Sequence, residues 1–284
     1  METVGKTSRL TQVEVELGYY YLLKRKPSQE EVGSWTSQDL SKAEFRKVLM
    51  NSEEFLNLAT NEIVRSEARK NTAYERRKPH IKLTDSVSFW AFFETVFAAK
   101  LGKRADGFAA MLRALEGLQT SHSVIVESGT MRAYDNFEGD GMSTLIFDTF
   151  VSATGGEVWT CDVEPIGASL TRTLCGPQTF SVTCEAVDFL RSFSRASAEQ
   201  IHLLYLDSLD LDVVTGDNSA QVAYQEYIAA LPRLKSGSII AIDDVDHNDV
   251  RDLKGGKGRI LVPELEKRDY KCLYRGYQSV WQII

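Results

Sequence analysis

The chain has 284 residues, of which 43% are hydrophobic and 26% charged, proportions that are typical of a globular protein with a packed core. Its formal net charge of −7 disfavours nucleic-acid binding, which usually needs a basic surface. The sequence has no apolar run long enough for a membrane span and no signal-peptide pattern at its start, so we expect a cytoplasmic protein.

The first 70 residues carry a helical pattern. Apolar residues recur at helical spacing from Leu10 to Leu58, and Ser41 with Glu44 has the spacing of a capping box. The segment LGYYYLLKRKPSQEEVGSWTSQDLSKAEFRKVLMNSEEF resembles the small helical module of the DUF4214 type, in its YxxLLxRxP opening, its central tryptophan and its FxxxLxxSxEF close. The resemblance implies an accessory or docking role and supplies no catalytic residues.

Residues 71–120 are expected to form a linker and two covering helices. A run rich in arginine and lysine up to Lys82 is typical of a solvated linker. An aromatic run, Phe89–Phe97, follows a helix-capping Asp-Ser pair, and Ala105–Leu118 carries apolar residues on one helical face. We expect these helices to cover the sheet or its crevice, with the aromatic run in the core.

Residues 121–284 alternate short apolar runs with helical patterns, which predicts a parallel sheet with crossover helices. The last two strands are joined by a tight turn, so they must be antiparallel. The predicted fold class is α/β, a Rossmann-like sheet of five parallel strands plus an antiparallel C-terminal hairpin, preceded by an all-α region. The predicted strands are Ser123–Glu127, Glu157–Asp162, Phe180–Cys184, Ile201–Asp207, Ser238–Asp243, Tyr270–Tyr274 and Gln278–Ile283. The predicted helices are Ser143–Thr154, Pro165–Leu174, Ala186–Phe193, Ala220–Leu234 and Arg259–Arg268.

Acidic residues stand at the ends of the predicted parallel strands. They are Glu127, Asp162, Glu185, Asp207 and the pair Asp243-Asp244. Because the carboxyl ends of parallel strands meet at one edge of a sheet, these acids should share a crevice, in which Asp162 can accept both ribose hydroxyls of a nucleoside. Helix capping is the alternative for a single acid, above all for Glu164 and Glu185.

The first strand leads into a long loop, within the segment SVIVESGTMRAYDNFEGDGMST. Gly129 lets the backbone pass close to a ligand, but the loop lacks the Gly-x-Gly-x-x-Gly spacing that seats a pyrophosphate on a helix N-terminus. With the acid at Asp162, the loop indicates a nucleoside without a pyrophosphate and disfavours a nicotinamide-dependent dehydrogenase. We interpret the residues between Thr130 and Gly141 as a flap over the cofactor.

These segments together resemble the class I S-adenosylmethionine-dependent methyltransferases of the Methyltransf_24 group, relatives of the metal-dependent sugar and macrolide O-methyltransferases. The likeness covers roughly residues 121–284 and is most specific at Glu127-x-Gly129-Thr130, Gly141-x-Ser143-Thr144, Asp207 and Asp243-Asp244. The resemblance implies S-adenosyl-L-methionine as the cofactor. The cofactor-binding residues expected from it and from the strand ends are Glu127, Ser128, Gly129, Thr130, Arg132, Ser143, Thr144, Asp162, Glu164, Glu185, Ala186 and Asp207.

In the metal-dependent relatives, acids after the fourth and fifth strands hold one Mg²⁺, which chelates two vicinal hydroxyls of the acceptor. Carried over to this sequence, the ligands are Asp207, Asp243 and Asp244, whose carboxylate oxygens are donors that Mg²⁺ prefers. The resemblance is compatible with a metal-dependent and with a metal-independent enzyme, because some class I relatives use no metal. The long loop after Asp207 also offers Asp210 or Asp212 to share or replace the ligand role of Asp244.

Asp207 and His247 are the candidate catalytic residues. His247 lies shortly after the fifth strand and can act as a general base near neutral pH, or can be a surface histidine. The nearby segment KGGKGR resembles a phosphate loop but lacks the Walker-A spacing. We interpret it as a lid beside the acceptor site, with Lys257 and Arg259 as contacts to an acidic sugar or a phosphate.

The sequence therefore predicts an S-adenosylmethionine-dependent O-methyltransferase that acts on a hydroxyl of a glycan or small natural product, with or without Mg²⁺. The alternatives are another nucleotide or nucleotide-sugar enzyme on a Rossmann-like fold, or a non-catalytic docking protein of a glycan pathway. The expected partners are the acceptor and, through the N-terminal helices, a second copy or a glycan-pathway protein. The expected domains are a helical module at 1–70, a linker with covering helices at 71–120 and a methyltransferase domain at 121–284.

Overall fold

The computed structural model describes residues 9–23, 25–50, 52–54, 57, 88–133, 135–137, 139, 142–196, 199–211, 217–245 and 255–284. The chain divides into two compact units, residues 1–62 and residues 63–284. The predicted boundary at residue 70 lies outside the described residues. Across the described ranges, no helix combines the length and the apolar character that crossing a membrane requires.

The first unit is helical, as predicted. Its described helices are α1 (Gln12–Leu23), α2 (Gln29–Thr36) and α3 (Lys42–Met50). The predicted capping box before α3 is confirmed, because the Ser41 N–H donates to Glu44 Oε2 at 2.8 Å and the Glu44 N–H donates to Ser41 Oγ at 3.2 Å. A small core holds these helices together and includes Val15, Tyr19, Leu23, Val32, Phe45 and Leu49.

A run of helical turns precedes the sheet in the second unit. Its parts are α4 (Phe89–Phe92), a π-helical turn (Phe93–Phe97), α5 (Ala98–Leu101), a 3₁₀ turn (Gly102–Arg104) and α6 (Ala105–Gly117). Phe89, Phe93 and Phe97 are buried in an apolar cluster that also contains strand residues. The prediction that the aromatic run belongs to the core is therefore confirmed.

The strands of the second unit form one mixed sheet. Within the described residues they are β1 (Ser123–Ser128), β2 (Gly156–Asp162), β3 (Thr179–Thr183), β4 (Leu203–Leu206), β5 (Ile239–Ile242), β6 (Lys271–Arg275) and β7 (Ser279–Gln282). Their order is β3-β2-β1-β4-β5-β7-β6. Strands β1 to β5 pair in parallel, whereas β7 runs antiparallel to both β5 and β6. The strand order reverses at β1, which is where open α/β sheets bind ligands.

The crossover helices lie close to their predicted positions. They are α7 (Ser143–Thr154), α8 (Pro165–Leu174), α9 (Ala186–Ala196), α10 (Asp217–Ala230) and, before the hairpin, α11 (Leu261–Lys267). Strands β4 and β5 are shorter than predicted. The reason is that the N–H groups of Ile201 and Ser238, at the predicted strand starts, bond instead to the carbonyl oxygens of Arg233 and Lys235.

Both faces of the sheet are covered by helices. Val124 and Val126 of β1 join an apolar cluster with α9, α10 and α11, whereas Ile125 between them joins a second cluster with α4 to α8. Alternate residues of a strand point to opposite faces, so a continuous apolar strand is expected here. The strand ends are therefore the natural place for a ligand.

Candidate active site

A crevice lies at the carboxyl ends of β1, β2 and β4. Its lining includes residues that the sequence predicted to bind a cofactor, namely Gly129, Thr130, Arg132, Ser143, Asp162 and Asp207. It also includes Arg104, Gly139, Ser208, Asp210 and Asp244. The fold therefore brings the loop after β1 and three of the strand-end acids, Asp162, Asp207 and Asp244, to one place.

Glu127 lies behind this crevice, at the penultimate position of β1, and is fully buried. Its Oε2 accepts a hydrogen bond from Thr144 Oγ1 at 2.6 Å. Burial raises the pKa of Glu127 to about 7, although nearby hydroxyls, including that of Thr144, oppose the rise. Glu127 thus ties the first turn of α7 to the central strand.

Threonine hydroxyls link the loop after β1 to two helices. Thr130 Oγ1 lies 3.0 Å from Thr144 Oγ1 of α7 and 3.0 Å from Thr171 Oγ1 of α8. The Thr130 N–H donates to Asp162 Oδ2 at 3.4 Å. These contacts fix the turn after β1 relative to the acid that ends β2.

Gly129 occupies a position that excludes a side chain. Its φ is +87°, and a Cβ would lie 2.4 Å from the backbone oxygen of Asp207. A positive φ and a close backbone contact are both conditions that only glycine meets without strain. The sequence predicted that Gly129 allows the backbone to pass close to a ligand. The structure shows a second reason for a glycine here, because the backbone at Asp207, just after β4, lies against this position.

Ser128 turns its side chain away from the crevice. Its hydroxyl is fully buried and donates to Glu226 Oε2 of α10 at 3.0 Å, while Ser208 Oγ donates to Glu226 Oε1. Burial raises the pKa of Glu226 to about 7, against the effect of the two serine hydroxyls. A cofactor contact of Ser128 would have to come from its backbone.

The acids after β2 and β3 differ in their surroundings. Asp162 is half-buried at the crevice, and its Oδ1 accepts the Glu164 N–H at 2.8 Å. Glu185 Oε2 accepts the Asp188 N–H at 3.2 Å, which is the helix-capping alternative. Glu164 is exposed and Ala186 is buried in the core. The cofactor roles of Glu164, Glu185 and Ala186 stay predictions.

Asp207, Asp243 and Asp244 come together after β4 and β5, as expected of metal ligands. One oxygen atom of each lies within 4.8 Å of the others. Asp243 is fully buried, and Asp244 has a positive φ of 50°. The ends of two adjacent parallel strands thus place three carboxylates in one cluster.

Lys257 reaches the same cluster from a 3₁₀ turn, Gly256–Gly258. Its Nζ lies 2.5 Å from Asp207 Oδ1 and 3.0 Å from Asp244 Oδ2, and the residue is 2% exposed. Burial alone would lower the pKa of Lys257, but the carboxylates outweigh it and raise the pKa above its ordinary value. The prediction that Lys257 contacts an acidic substrate is wrong, because the protein's own carboxylates hold its ammonium.

Arg104, the last residue of the 3₁₀ turn before α6, also contacts this cluster. Its Nη2 lies 2.8 Å from Asp243 Oδ2 and 3.7 Å from Asp244 Oδ1. Burial would lower the pKa of Arg104, but the Asp243 carboxylate raises it. Its Nε and Nη1 atoms are buried and have no hydrogen-bond partner in the described part of the chain. Arg104 thus neutralises Asp243 from a buried position.

Tyr277 completes the surroundings of Asp244, because its hydroxyl donates to Asp244 Oδ1. Burial would raise the pKa of Asp244, but the Lys257 ammonium and the Tyr277 hydroxyl outweigh burial and hold the pKa at about 2. Asp244 is therefore ionised at neutral pH.

With the side chains placed in this way, a magnesium ion would have to displace the Lys257 ammonium from the cluster. Mg²⁺ binds oxygen ligands at about 2.0–2.1 Å in near-octahedral geometry and keeps several waters. The Lys257 ammonium lies within hydrogen-bond distance of two of the three candidate ligands, in the space that the ion would need. Mg²⁺ binding by Asp207, Asp243 and Asp244 stays a prediction.

Asp210, one of the expected alternatives to Asp244, is paired with Arg132, and its role as a metal ligand stays a prediction. Both of its carboxylate oxygens accept hydrogen bonds from Arg132, at 3.1 and 2.8 Å, and this contact lowers the pKa of Asp210. Asp212 and the candidate base His247 lie outside the described residues.

The described part of the loop after β1 packs against the preceding helices. Met131 and Phe137 are buried in the cluster that contains α4 to α8. Lys100 Nζ lies 2.5 Å from Asp135 Oδ1 and 4.9 Å from the centre of the Phe137 ring. The loop interpreted as a flap is thus anchored to α5 at these residues.

Sequence reasoning missed Arg104, Glu226 and Tyr277. Arg104 carried a weak signal, a basic residue between two apolar helical runs. Glu226 and Tyr277 carried none, since an isolated acid on a helix and a tyrosine in a turn are ordinary surface residues.

No protein-family model matches the sequence, and no curated protein matches it. Among solved structures, the chain is similar to the MycE methyltransferase of the mycinamycin biosynthetic pathway, in complex with Mg, SAH (S-adenosylhomocysteine) and mycinamycin VI. The identity is 12% and the TM-score 0.50, over 70% of this chain and 55% of that one. The fold is that of the class I methyltransferases. The predicted fold class is confirmed.

Two other solved methyltransferase structures show a weaker similarity. CalS11, a TDP-rhamnose 3'-O-methyltransferase of calicheamicin biosynthesis, is 15% identical with a TM-score of 0.45, over 77% of this chain and 93% of that one. An O-methyltransferase from Bacillus cereus in complex with SAH is 17% identical with a TM-score of 0.43, over 76% and 97%. This chain spans about half the length of MycE. The resemblances to DUF4214 and Methyltransf_24 stay predictions.

Proposed function

We propose that the chain is an S-adenosylmethionine-dependent O-methyltransferase that acts on a hydroxyl of a glycan or small natural product. The observation that carries this proposal is the placement of Asp162, at the end of β2 and beside the turn at Gly129 and Thr130. In nucleotide-binding α/β sheets, an acid at this place accepts ribose hydroxyls. S-adenosylmethionine has a ribose and no pyrophosphate, which suits a crevice without a dinucleotide glycine motif.

The proposed reaction moves a methyl group from sulfur to an acceptor oxygen. A lone pair of the hydroxyl oxygen attacks the methyl carbon, the carbon–sulfur bond breaks with its electron pair left on sulfur, and the hydroxyl proton passes to a base. Asp207 and His247 are the proposed catalytic residues. In support of Asp207, its carboxylate lines the crevice and is held in place by Lys257.

The acceptor class draws its support from one structural neighbour. MycE was crystallised with mycinamycin VI, and its fold is the one described above. The Arg104 guanidinium lines the crevice and is a donor group, which fits an acceptor that carries hydroxyl oxygens. The N-terminal helical unit is proposed to dock a partner of the same pathway or a second copy of the chain.

Calorimetric titration with S-adenosylhomocysteine tests the proposal. We expect binding in the micromolar range, and we expect Asp162→Asn to weaken it by roughly ten- to a hundredfold, since a hydrogen bond to a charged group contributes about 1.5–3 kcal/mol. Asp106→Asn is the matched control, because Asp106 is an exposed acid in the first turn of α6. It should bind as the wild type does.

The same titration can reject the proposal. A folded wild type that binds no S-adenosylhomocysteine, or an Asp162→Asn variant that binds it equally well, would contradict it. Thermal stabilisation by a nucleotide sugar or a nicotinamide cofactor instead would favour another enzyme on this fold, since a ligand that binds the folded state raises the unfolding temperature.

A further inference from the structure

We propose that Lys257 and Arg104 take the place of a divalent cation, so that this chain binds no metal between Asp207, Asp243 and Asp244. The acids stand where metal ligands would stand, but basic side chains of the chain itself already neutralise them. The metal-binding part of this inference is independent of the proposed function. Its consequence for the acceptor rests on that function.

Position supports the replacement first. Lys257 Nζ contacts two of the three acids, Asp207 and Asp244, at 2.5 and 3.0 Å. Arg104 Nη2 contacts the third, Asp243, at 2.8 Å. Both basic side chains are almost fully buried, with 3% and 4% of their surfaces exposed. Each carboxylate of the cluster therefore already has a cation beside it.

Charge supports the replacement as well. Lys257 and Arg104 together carry two positive charges, the same charge as one Mg²⁺ ion. An ion added to the cluster would lie close to both cations in a region of low dielectric constant, where like charges repel strongly. The positive charge that a metal ion would bring to the three carboxylates is thus already supplied by the two basic side chains.

The backbone fixes Lys257 in this position. Its N–H donates to the carbonyl oxygen of Asp244 at 3.0 Å. The preceding Gly256 has a φ of +44°, and a Cβ there would lie 1.8 Å from the same carbonyl oxygen. The main chain of the turn is therefore pressed against that of Asp244. Withdrawal of the ammonium would leave the partly buried Asp207 carboxylate without its cation, which is costly.

This arrangement changes what an acceptor would meet in the proposed reaction. Arg104 lines the crevice, and its Nε and Nη1 have no hydrogen-bond partner among the described residues. Guanidinium N–H groups donate to hydroxyl and carboxylate oxygens. The acceptor's oxygens would thus meet the guanidinium of Arg104, where it lines the crevice, in the place of a metal ion. Lys257 would act as a positioning residue that holds Asp207.

Titration with Mn²⁺ followed by electron paramagnetic resonance tests the inference, because free and bound Mn²⁺ differ in signal. Wild type should show no saturable binding up to about 1 mM, and Lys257→Met should gain a site with a dissociation constant on the order of 100 µM or tighter. Lys271→Met, which changes an exposed lysine of β6, is the matched control and should gain no site.

Two outcomes would overturn the inference. The first is saturable Mn²⁺ binding by the wild type that Asp243→Asn abolishes, since this would place a metal among the three acids. The second is a folded Lys257→Met variant that binds no Mn²⁺. If that variant fails to fold, the wild-type titration still tests whether a metal binds among the three acids. Calorimetry with S-adenosylhomocysteine on the same samples keeps the two proposals apart, because its result does not depend on Mn²⁺ binding.

Discussion

Glu226 and Glu127 are fully buried carboxylates, and burial raises the pKa of each from 4.5 to about 7. At pH values between about 4.5 and about 7, the folded protein therefore binds more protons than the unfolded chain does. The free energy of unfolding therefore falls as the pH rises from about 4.5 to about 7. This is the opposite of the dependence that an ion-paired carboxylate such as Asp244 gives.

We expect Glu226→Gln to remove the contribution of Glu226 to this pH dependence, while the contribution of Glu127 and the shape of the side chain are kept. At pH 5 the variant and the wild type should be close in stability. Towards pH 8 the variant should become the more stable protein, by up to roughly 3 kcal/mol, because each unit of pKa shift corresponds to about 1.4 kcal/mol. Urea unfolding at a series of pH values measures the difference.

Ser208→Ala provides the companion variant to this experiment. The Ser208 hydroxyl donates to Glu226 Oε1 and opposes the rise of its pKa. Its removal should therefore steepen the fall in stability with pH. If the free energy of unfolding of Glu226→Gln differs from that of the wild type by the same amount at every pH, Glu226 does not titrate near pH 7.

At the same scale, the acids of the site could be predicted from the sequence, but their partners could not. Asp162, Asp207, Asp243 and Asp244 each follow a short apolar run, and the end of a strand is a local signal. Arg104 and Lys257 meet those acids only after the helices before β1 and the turn after β5 have packed. Charge pairing across such separations depends on tertiary structure, which no local pattern encodes.

At the scale of elements, the turn between β1 and its loop places the crevice beside the end of β4. Gly129→Ala should destabilise the second unit by at least about 2 kcal/mol, because the residue has a φ of +87° and its new Cβ would lie 2.4 Å from the Asp207 carbonyl oxygen. Urea unfolding measures this change. S-adenosylhomocysteine binding should also weaken, since any relief of the contact moves the loop or Asp207.

Gly117→Ala is the matched control for this substitution. Gly117 ends α6, and a Cβ there would have no atom within 4 Å. Replacement of a helical glycine by alanine should leave stability unchanged or raise it by up to about 1 kcal/mol. A Gly129→Ala variant as stable as the Gly117→Ala variant would show that the backbone near Asp207 gives way easily.

Helix positions were more predictable than strand ends or helix irregularities. The bounds of α7 and α8 agree with the prediction, because Gly155 and Pro165 are strong local signals for a helix end and a helix start. The π-helical turn Phe93–Phe97 carried no such signal. The starts of β4 and β5 depend on hydrogen bonds from Ile201 and Ser238 to the carbonyl oxygens of Arg233 and Lys235, so periodicity alone overestimated the length of both strands.

At the scale of the whole molecule, the two compact units divide the expected roles. The second unit contains both apolar clusters that cover the sheet and every residue that lines the crevice. The first unit has a small core of its own around Val15, Phe45 and Leu49. Cofactor binding should therefore depend on the second unit, while the first unit is free to serve another partner.

A fragment of residues 63–284 tests this division. It should fold on its own and bind S-adenosylhomocysteine with an affinity within about threefold of the full chain, a difference of less than 1 kcal/mol. In the full chain, Ser28→Ala should destabilise the first unit by about 1 kcal/mol, through loss of the capping hydrogen bond to the Glu31 N–H, without weakening that binding. A folded fragment that has lost binding would show that the first unit contributes to the crevice, and a fragment that does not fold would show that the second unit needs the first for stability.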